Sequence, residues 1–141
     1  GGLPPSGIVA RLRAAGCKAV TFAPNAVVAR RLVRSGIDAL IIEGSEAGGH
    51  IGPVSTSVLA QEVLPVVREV PVFVAGGIGH GEAIAAYLGM GAAGVQMGTR
   101  FAAAKESIAH PAFKRALAGA LGLAVWVTLR FLGRQKATDP D

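Results

Sequence analysis

Short apolar runs alternate with segments of helical periodicity along most of this chain, and this alternation constrains the fold more than any other feature. The apolar runs, rich in Val, Ile and Ala, span residues 18–23, 39–43, 70–75 and 94–97. Runs that are apolar on both faces are typical of parallel strands covered by helices. The chain is therefore predicted to form an α/β fold of consecutive βα units with right-handed crossovers.

The segments with helical periodicity span residues 8–15, 26–35, 57–68, 81–88 and 107–117. Within the third of them, Val58, Glu62 and Pro65 fall on one stripe, and Pro65 should kink or split the helix. Both a doubly wound sheet and a barrel satisfy this order of elements. Four strands are too few to close a barrel, because a packed interior needs about eight.

The balance of apolar and charged residues excludes several functional classes. Of the 141 residues, 51% are apolar and 16% are charged, which indicates a folded domain with a core. The net charge of +5 is scattered, and its densest group, Arg30, Arg31 and Arg34, has helical spacing without intervening aromatic residues. This pattern indicates a solvated helix face and no nucleic-acid partner. No apolar run reaches the roughly 20 residues that span a bilayer, so no membrane partner is expected.

The cysteine and histidine residues do not form a pattern typical of a disulfide framework or a metal site. The single cysteine, Cys17, follows Gly16 at the start of an apolar run, so we predict a buried structural thiol. A lone thiol is also consistent with a cytoplasmic location. His50 has no second histidine or cysteine at ligand spacing, so no metal is expected. His80 is predicted to lie in a turn or at a helix start, and His110 to pack against its neighbours.

Small-residue turns follow the last two predicted strands. Gly76 and Gly77 follow the third strand, and Gly98 and Thr99 follow the fourth, with Arg100 directly after them. Adjacent glycines let backbone N–H groups face an anion, and the start of the next helix adds positive potential at the same place. The last strands of (β/α)8 barrels commonly bind phosphate there. The pair predicts a phosphate site; the alternative is two tight turns with no ligand.

A long glycine-rich loop follows the second predicted strand and carries a histidine. Gly48 and Gly49 would let the backbone approach a flat ligand, and His50 can act as an acid or base near neutral pH. The loop lies at a strand's carboxyl end, where ligands bind in parallel α/β folds. We therefore predict that His50 faces the same site as the phosphate turns.

Taken together, these motifs resemble a known family. The strings at residues 43–52, 75–78 and 96–101 resemble nitronate monooxygenases, formerly called 2-nitropropane dioxygenases. Residues 105–111, with Phe113 and Lys114, are similar to that family and to the flavin-dependent enoyl-ACP reductase II. The resemblance runs from about Leu3 to Leu117. It implies the C-terminal half of an FMN-binding (β/α)8 TIM barrel.

The resemblance also implies roles for individual residues. Glu43 stands where many members have a glutamine near the flavin ring, and Gly48, with Gly49 beside it, matches a residue packed on the flavin. His50 matches a histidine that lies over the flavin and serves as base or substrate-orienting group. The phosphate-binding turns are matched by Gly76, Gly77, Gln96, Met97, Gly98 and Thr99. Arg100 would add positive charge near the phosphate or pair with a surface acid.

The resemblance sets the expected organisation and activity. Residues 1–117 should form a partial FMN-binding barrel domain of about four βα units, and residues 118–141 a shortened, atypical C-terminal segment. A homodimer or an N-terminal half-barrel would complete the barrel. The implied activity is oxidation of nitronates or nitroalkanes by O2 to a carbonyl compound and nitrite. The alternatives are NAD(P)H-dependent reduction of an enoyl thioester, and an inactive half-barrel that binds no flavin.

Overall fold

The computed structural model describes residues 7–48 and 52–119. The chain divides into two units, Gly1–Gly98 and Thr99–Asp141, each of which is described by itself. Within the described residues, no helix combines the length and the apolar character needed to cross a membrane.

The first unit contains a parallel sheet whose spatial order repeats the order along the chain. Its strands are β1 (Val20–Ala23), β2 (Ala39–Glu43), β3 (Val72–Ala75) and β4 (Gly94–Gln96), arranged β1-β2-β3-β4. A doubly wound sheet reverses direction at a switch point, whereas this sheet winds in one direction. With right-handed crossovers, one direction of winding places every connecting helix on the same face. This is the winding of a (β/α)8 barrel segment, and it confirms the predicted α/β class.

Within the described part of the first unit, the helices cover one face of the sheet and leave the other face open. They are α1 (Ile8–Ala14), α2 (Ala26–Arg34), α3 (Thr56–Val63) and α4 (Gly81–Gly89). Leu40, Ile42 and Val74 on the covered face are fully buried. On the opposite face Phe22 lies next to Ile41, and Phe22 is 46% exposed. In a barrel, this helix-free face is the interior.

The buried face of α3 differs from the sequence prediction. Thr56, Leu59, Ala60 and Val63 are buried, whereas Val58 is 51% exposed and Glu62 lies at the surface. The predicted stripe of Val58, Glu62 and Pro65 was therefore wrong, because a four-residue spacing fits several faces of a helix. The neighbouring strands β2 and β3 select the face that is buried. As predicted for Pro65, the helix ends before this residue, at Val63.

Two further predictions about single residues were wrong. Cys17 is exposed, because it lies in the connection between α1 and β1, before the strand begins at Val20. His110 is also exposed: its Nδ1 accepts the backbone N–H of Ala112 at 3.1 Å and caps a helical turn. His80 precedes the first residue of α4, as predicted for a helix start.

In the second unit, the described residues 99–119 contain α5 (Thr99–Ala102) and a helical segment over residues 111–119. That segment begins later than the predicted helix at 107–117, because Pro111 favours the first helical position and His110 caps it. The Lys114 ammonium group ties the connecting turn together. It donates to three backbone carbonyl oxygens, at 2.8, 3.3 and 2.7 Å, which belong to Ala104, Lys105 and Ser107.

Asp38 joins the amino ends of β1 and β2 and should make stability depend on acid pH. Its carboxylate accepts the Ala19 N–H at 2.9 Å and pairs with Lys18 Nζ at 3.0 Å. The Ala19 hydrogen bond, followed by Lys18, lowers the pKa of Asp38. Because the pKa of Asp38 is lower in the folded state than in the unfolded state, its ionised carboxylate stabilises the fold. This stabilisation is complete above the ordinary carboxyl pKa of 3.8, and it is lost as the pH falls through the folded-state pKa.

The free energy of unfolding should decrease as the pH falls below the ordinary carboxyl pKa, and we expect Asp38→Asn to flatten this decrease. The matched variant Lys18→Met should keep most of that decrease, because the backbone N–H of Ala19 lowers the pKa of Asp38 most. Urea titrations at several acid pH values measure both. Equal flattening in both variants would contradict the assignment to the backbone hydrogen bond.

Candidate functional site

The carboxyl ends of β2, β3 and β4 meet at one edge of the sheet and bring two of the predicted residues into one row. Glu43 is in register with Ala75, and Ala75 with Gln96. Neighbouring strands are about 4.8 Å apart, so the backbones of Glu43 and Gln96 stand roughly 10 Å apart across Ala75. All three residues lie on the helix-free face. A flat ligand above Ala75 would have Glu43 and Gln96 on its two sides.

The turn after β3 presents backbone donors without partners. Gly76 and Gly77 have positive φ angles of 97° and 70°, which side chains with a Cβ rarely adopt. Among the described residues, no acceptor is found for the backbone N–H groups from Gly77 to Glu82. This run, called here the donor run, leads directly into the first turn of α4. Its geometry is suited to an anion.

The start of α4 also differs from the starts of its neighbours. Asn25 caps α2 by accepting the N–H of Val28, and Ser55 caps α3 by accepting that of Val58. The residue before α4, His80, makes no such side-chain hydrogen bond. The first N–H groups of α4 therefore stay available to a ligand.

The loop after β2 is fixed at its base. Gly44 lies so close to α3 that a Cβ there would overlap the backbone of Ser55 and Thr56. Gly52 N–H donates to the Gly44 carbonyl oxygen at 3.4 Å, which brings the two ends of the loop together. Gly48 has open space where a Cβ would stand, so its backbone is accessible to a ligand. The predicted site residues Gly49 and His50 lie outside the described residues.

The residues at the end of β4 and directly after it differ in what they present to a ligand. The side chain of Met97 packs against the core on the helix-covered side, so only its backbone is available to a ligand on the open face. Gln96 and Gly98 are exposed, and a Cβ at Gly98 would meet nothing within 4 Å. Thr99 and Arg100 are the first residues of α5 in the second unit.

A buried threonine connects these parts, and the sequence analysis missed it. Thr56 is 1% exposed, and its hydroxyl oxygen accepts the Gly44 N–H at 3.2 Å. The same hydroxyl lies 2.9 Å from Glu46 Oε2 and 3.2 Å from the Ala75 carbonyl oxygen, both acceptors for its proton. We call Gly44, Glu46, Thr56 and Ala75 the Thr56 junction. Ser55 and Thr56 stand before an apolar run, a helix-start signal that could have drawn attention to them.

Glu46 is the charged member of the Thr56 junction. Its Oε2 accepts the backbone N–H of Thr56 at 2.8 Å, at the first residue of α3. This hydrogen bond is the main reason why the pKa of Glu46 is lowered, and the Thr56 hydroxyl lowers it further. Glu46 is therefore ionised at neutral pH. Its negative charge adds to the effect of burial in raising the pKa of Tyr87 on α4.

Two other kinds of site, a cavity at the opposite ends of the strands and a metal site, are less well supported by the structure. A cavity of about 300 Å³ is lined by Arg68, Pro71, Val72 and Ala93 at the amino ends of β3 and β4. Ligands of parallel α/β folds bind at the opposite ends of the strands, so this cavity is not the candidate site. Among the described residues, no three His, Cys, Asp or Glu side chains are grouped closely enough to hold a metal ion.

Comparison with known proteins identifies relatives of the chain. Residues 1–138 match the family model described as nitronate monooxygenase. A protein of Paraburkholderia phytofirmans named nitronate monooxygenase is 34% identical, and the match covers 94% of this chain and 38% of that protein. A Rhodococcus jostii protein is 44% identical over 74% of this chain and 29% of its own length. Its name is (3aS,4S,5R,7aS)-5-hydroxy-7a-methyl-1-oxo-octahydro-1H-indene-4-carboxyl-CoA dehydrogenase.

A solved structure shows the same winding. FabK from Thermotoga maritima superposes on this chain with a TM-score of 0.74 at 43% sequence identity. The match covers 81% of this chain and 36% of FabK. The parallel sheet with its helices therefore matches part of a TIM barrel, as predicted from the sequence. The chain spans 29% to 38% of the length of these curated relatives.

Proposed function

Because the chain belongs to the nitronate monooxygenase family, we propose that it supplies the phosphate site and the substrate-facing histidine of an FMN-dependent oxidoreductase. The proposal is carried by the donor run, Gly77 to Glu82, whose N–H groups have no acceptor among the described residues. A phosphate at the donor run would gain charge-assisted hydrogen bonds and the positive end of α4.

The residues at the carboxyl edge fit a flavin. Gly48 and Gly98 leave open space at their α-carbons, and Glu43 and Gln96 flank Ala75 on the helix-free face. We propose that the donor run holds the phosphate with Gly76, Gln96, Met97, Gly98 and Thr99, and that Glu43, Gly48 and Gly49 contact the ring. The flavin, when bound, would supply the electron transfer, and the chain would bind and orient it.

The proposed substrate is a nitronate, which O2 oxidises to a carbonyl compound and nitrite. His50 would orient the nitronate anion, or accept the proton that a nitroalkane loses when it becomes a nitronate; both roles suit an imidazole near neutral pH. The proposed partners are thus a small-molecule substrate and O2.

A second candidate is chemistry on an acyl thioester. A relative named for a CoA thioester is 44% identical to the chain, and the nitronate monooxygenase of Paraburkholderia phytofirmans is 34% identical. The candidate reaction is NAD(P)H-dependent reduction of an enoyl thioester. A steady-state assay with a nitronate and O2, compared with an enoyl thioester and NADH, separates the two candidates. The assay uses the completed barrel, which is this chain joined to the part of Thermotoga maritima FabK that the match does not cover.

A third candidate is an inactive half-barrel that binds no flavin. The colour of the purified protein, read for the chain alone and for the completed barrel, separates it from the other two. A yellow protein carries a flavin. A colourless protein that also fails to bind added FMN, alone and as the completed barrel, would contradict the proposed function.

We expect Gly77→Val to abolish FMN binding in the completed barrel. A side chain at this position would oppose the positive φ angle, contact Glu46 Cβ at 3.1 Å and distort the start of the donor run. Thr99→Ala should weaken binding by roughly 1–2 kcal/mol, the value of a hydrogen bond to a charged group. Quenching of flavin fluorescence measures both affinities.

Gly91→Val is the matched control for backbone strain. Gly91 also has a positive φ angle, 101°, but it lies before β4 at the other end of the sheet. This variant should lose stability and keep its FMN affinity. Equal loss of FMN affinity in Gly77→Val and Gly91→Val would mean that strain, and not the phosphate site, explains the result.

A further inference from the structure

The turn that begins the donor run packs against the side chain of Glu46. A Cβ at Gly77 would stand 3.1 Å from Glu46 Cβ and 3.3 Å from its Cγ. A Cβ at Gly76 would stand 3.0 Å from the Thr56 hydroxyl oxygen. The two glycines are therefore in close contact with the Thr56 junction on one side, and the other side stays open to a ligand.

Glu46 also occupies the start of the neighbouring helix. Its Oε2 accepts the N–H of Thr56, the first residue of α3. A carboxylate there uses a donor that would otherwise attract an anion. An incoming phosphate is thus directed to α4, whose first N–H groups have no side-chain cap.

We propose that Glu46 is a positioning residue for phosphate: through Thr56 it fixes the turn at Gly76 and Gly77 to the end of β2, and it keeps the anion at the donor run. This role rests on the proposed flavin site. Glu46 does not touch the phosphate. Its negative charge alone would repel an anion, so any favourable effect on phosphate affinity must come from the geometry that it holds.

The comparison of FMN with riboflavin isolates this role, because the two ligands differ only in the phosphate. We expect Glu46→Ala to raise the dissociation constant of FMN about tenfold, comparable to the loss when a contact that orients a metal ligand is removed. Riboflavin affinity should change less than about twofold, so the preference for FMN falls. Glu46→Gln keeps an acceptor oxygen for the Thr56 N–H and should restore most of the preference.

Glu62 provides a control of the same chemistry. Its Oε1 accepts the N–H of Ala26, the first residue of α2, at 3.0 Å, so Glu62→Ala removes the same kind of hydrogen bond elsewhere. Glu62→Ala should lower the melting temperature about as much as Glu46→Ala does and leave the preference for FMN unchanged.

The Thr56 hydroxyl is tested by two further variants. Thr56→Ser, which keeps the hydroxyl, should behave as the unmodified chain, whereas Thr56→Val should lose the preference for FMN.

The titrations are run on the chain itself and on the completed barrel. An unmodified protein that binds FMN no better than riboflavin would contradict the proposed phosphate site and, with it, the role of Glu46. An unmodified protein that prefers FMN, with Glu46→Ala equally selective, would overturn the role of Glu46 alone. Equal losses in Glu46→Ala and Glu62→Ala would likewise overturn it, because both variants then act through stability.

Discussion

Replacing His50 by Asn in the completed barrel should leave the protein yellow and reduce turnover by about 10²–10⁴-fold, the usual value of a positioned acid or base. Asparagine forms hydrogen bonds but does not accept a proton near neutral pH, so it retains polarity and loses the base. The proposed phosphate site is formed by other residues, Gly77 to Glu82, so the flavin should stay bound. Flavin absorbance and steady-state turnover on a nitronate measure the two effects separately.

The matched control is His110→Asn in the second unit. His110 caps a helical turn through Nδ1, and asparagine is also a good helix cap, so stability and turnover should both be preserved. If His50→Asn loses its flavin, the histidine belongs to the cofactor site. If His50→Asn keeps full activity on nitronates, the histidine has no part in the chemistry.

The positions of the strands and helices could be predicted from the sequence because they depend on local patterns. The run 39–43 is β2 without any shift, and 26–35 differs from α2 by one residue. The predicted α3 began one residue late and extended past Pro65, the residue that ends it. Apolar runs, caps and proline act within a few residues, so a single sequence contains them.

The buried face of α3 and the environment of Cys17 could not be predicted in the same way. Val58 and Leu59 are equally apolar, and only the position of β2 and β3 decides that Leu59 is buried. Cys17 adjoins an apolar run, but the strand begins at Val20 and leaves the thiol exposed. Burial depends on neighbours distant in sequence, which residue spacing does not report.

In the candidate site, too, the sequence predicted the features that depend on local patterns and missed those that depend on distant residues. The order of strands was enough to place the turns after β2, β3 and β4 at one edge of the sheet, and the register aligns the strand ends Glu43, Ala75 and Gln96 there. Their roles toward a flavin stay predictions. The Thr56 junction was missed because its hydrogen bonds join residues 10 to 19 positions apart, and neither Glu46 nor Thr56 belongs to a recognisable spacing.

Expressed alone, the 141-residue chain should associate or aggregate, and it should bind FMN weakly at best. In the part of the chain that the structure describes, the sheet ends at β1 and β4, and unpaired strand edges invite pairing with another chain. Its helix-free face exposes Val20 by 53% and Phe22 by 46%, and such apolar surface promotes association. In a complete barrel, further strands would cover both features. Light scattering at micromolar concentration measures the association.

Two charged substitutions test which surface drives that association. Phe22→Glu places a charge on the helix-free face and should shift the chain toward monomers. Val27→Glu adds the same charge on α2, where Val27 is already 76% exposed, and should leave the association unchanged. Joining the chain into the completed barrel should restore a monodisperse, yellow protein, because the added strands pair the edges and cover Phe22. A stable monomer of the chain alone with flavin bound would contradict this prediction, since it would require the open face and both edges to be tolerated in water.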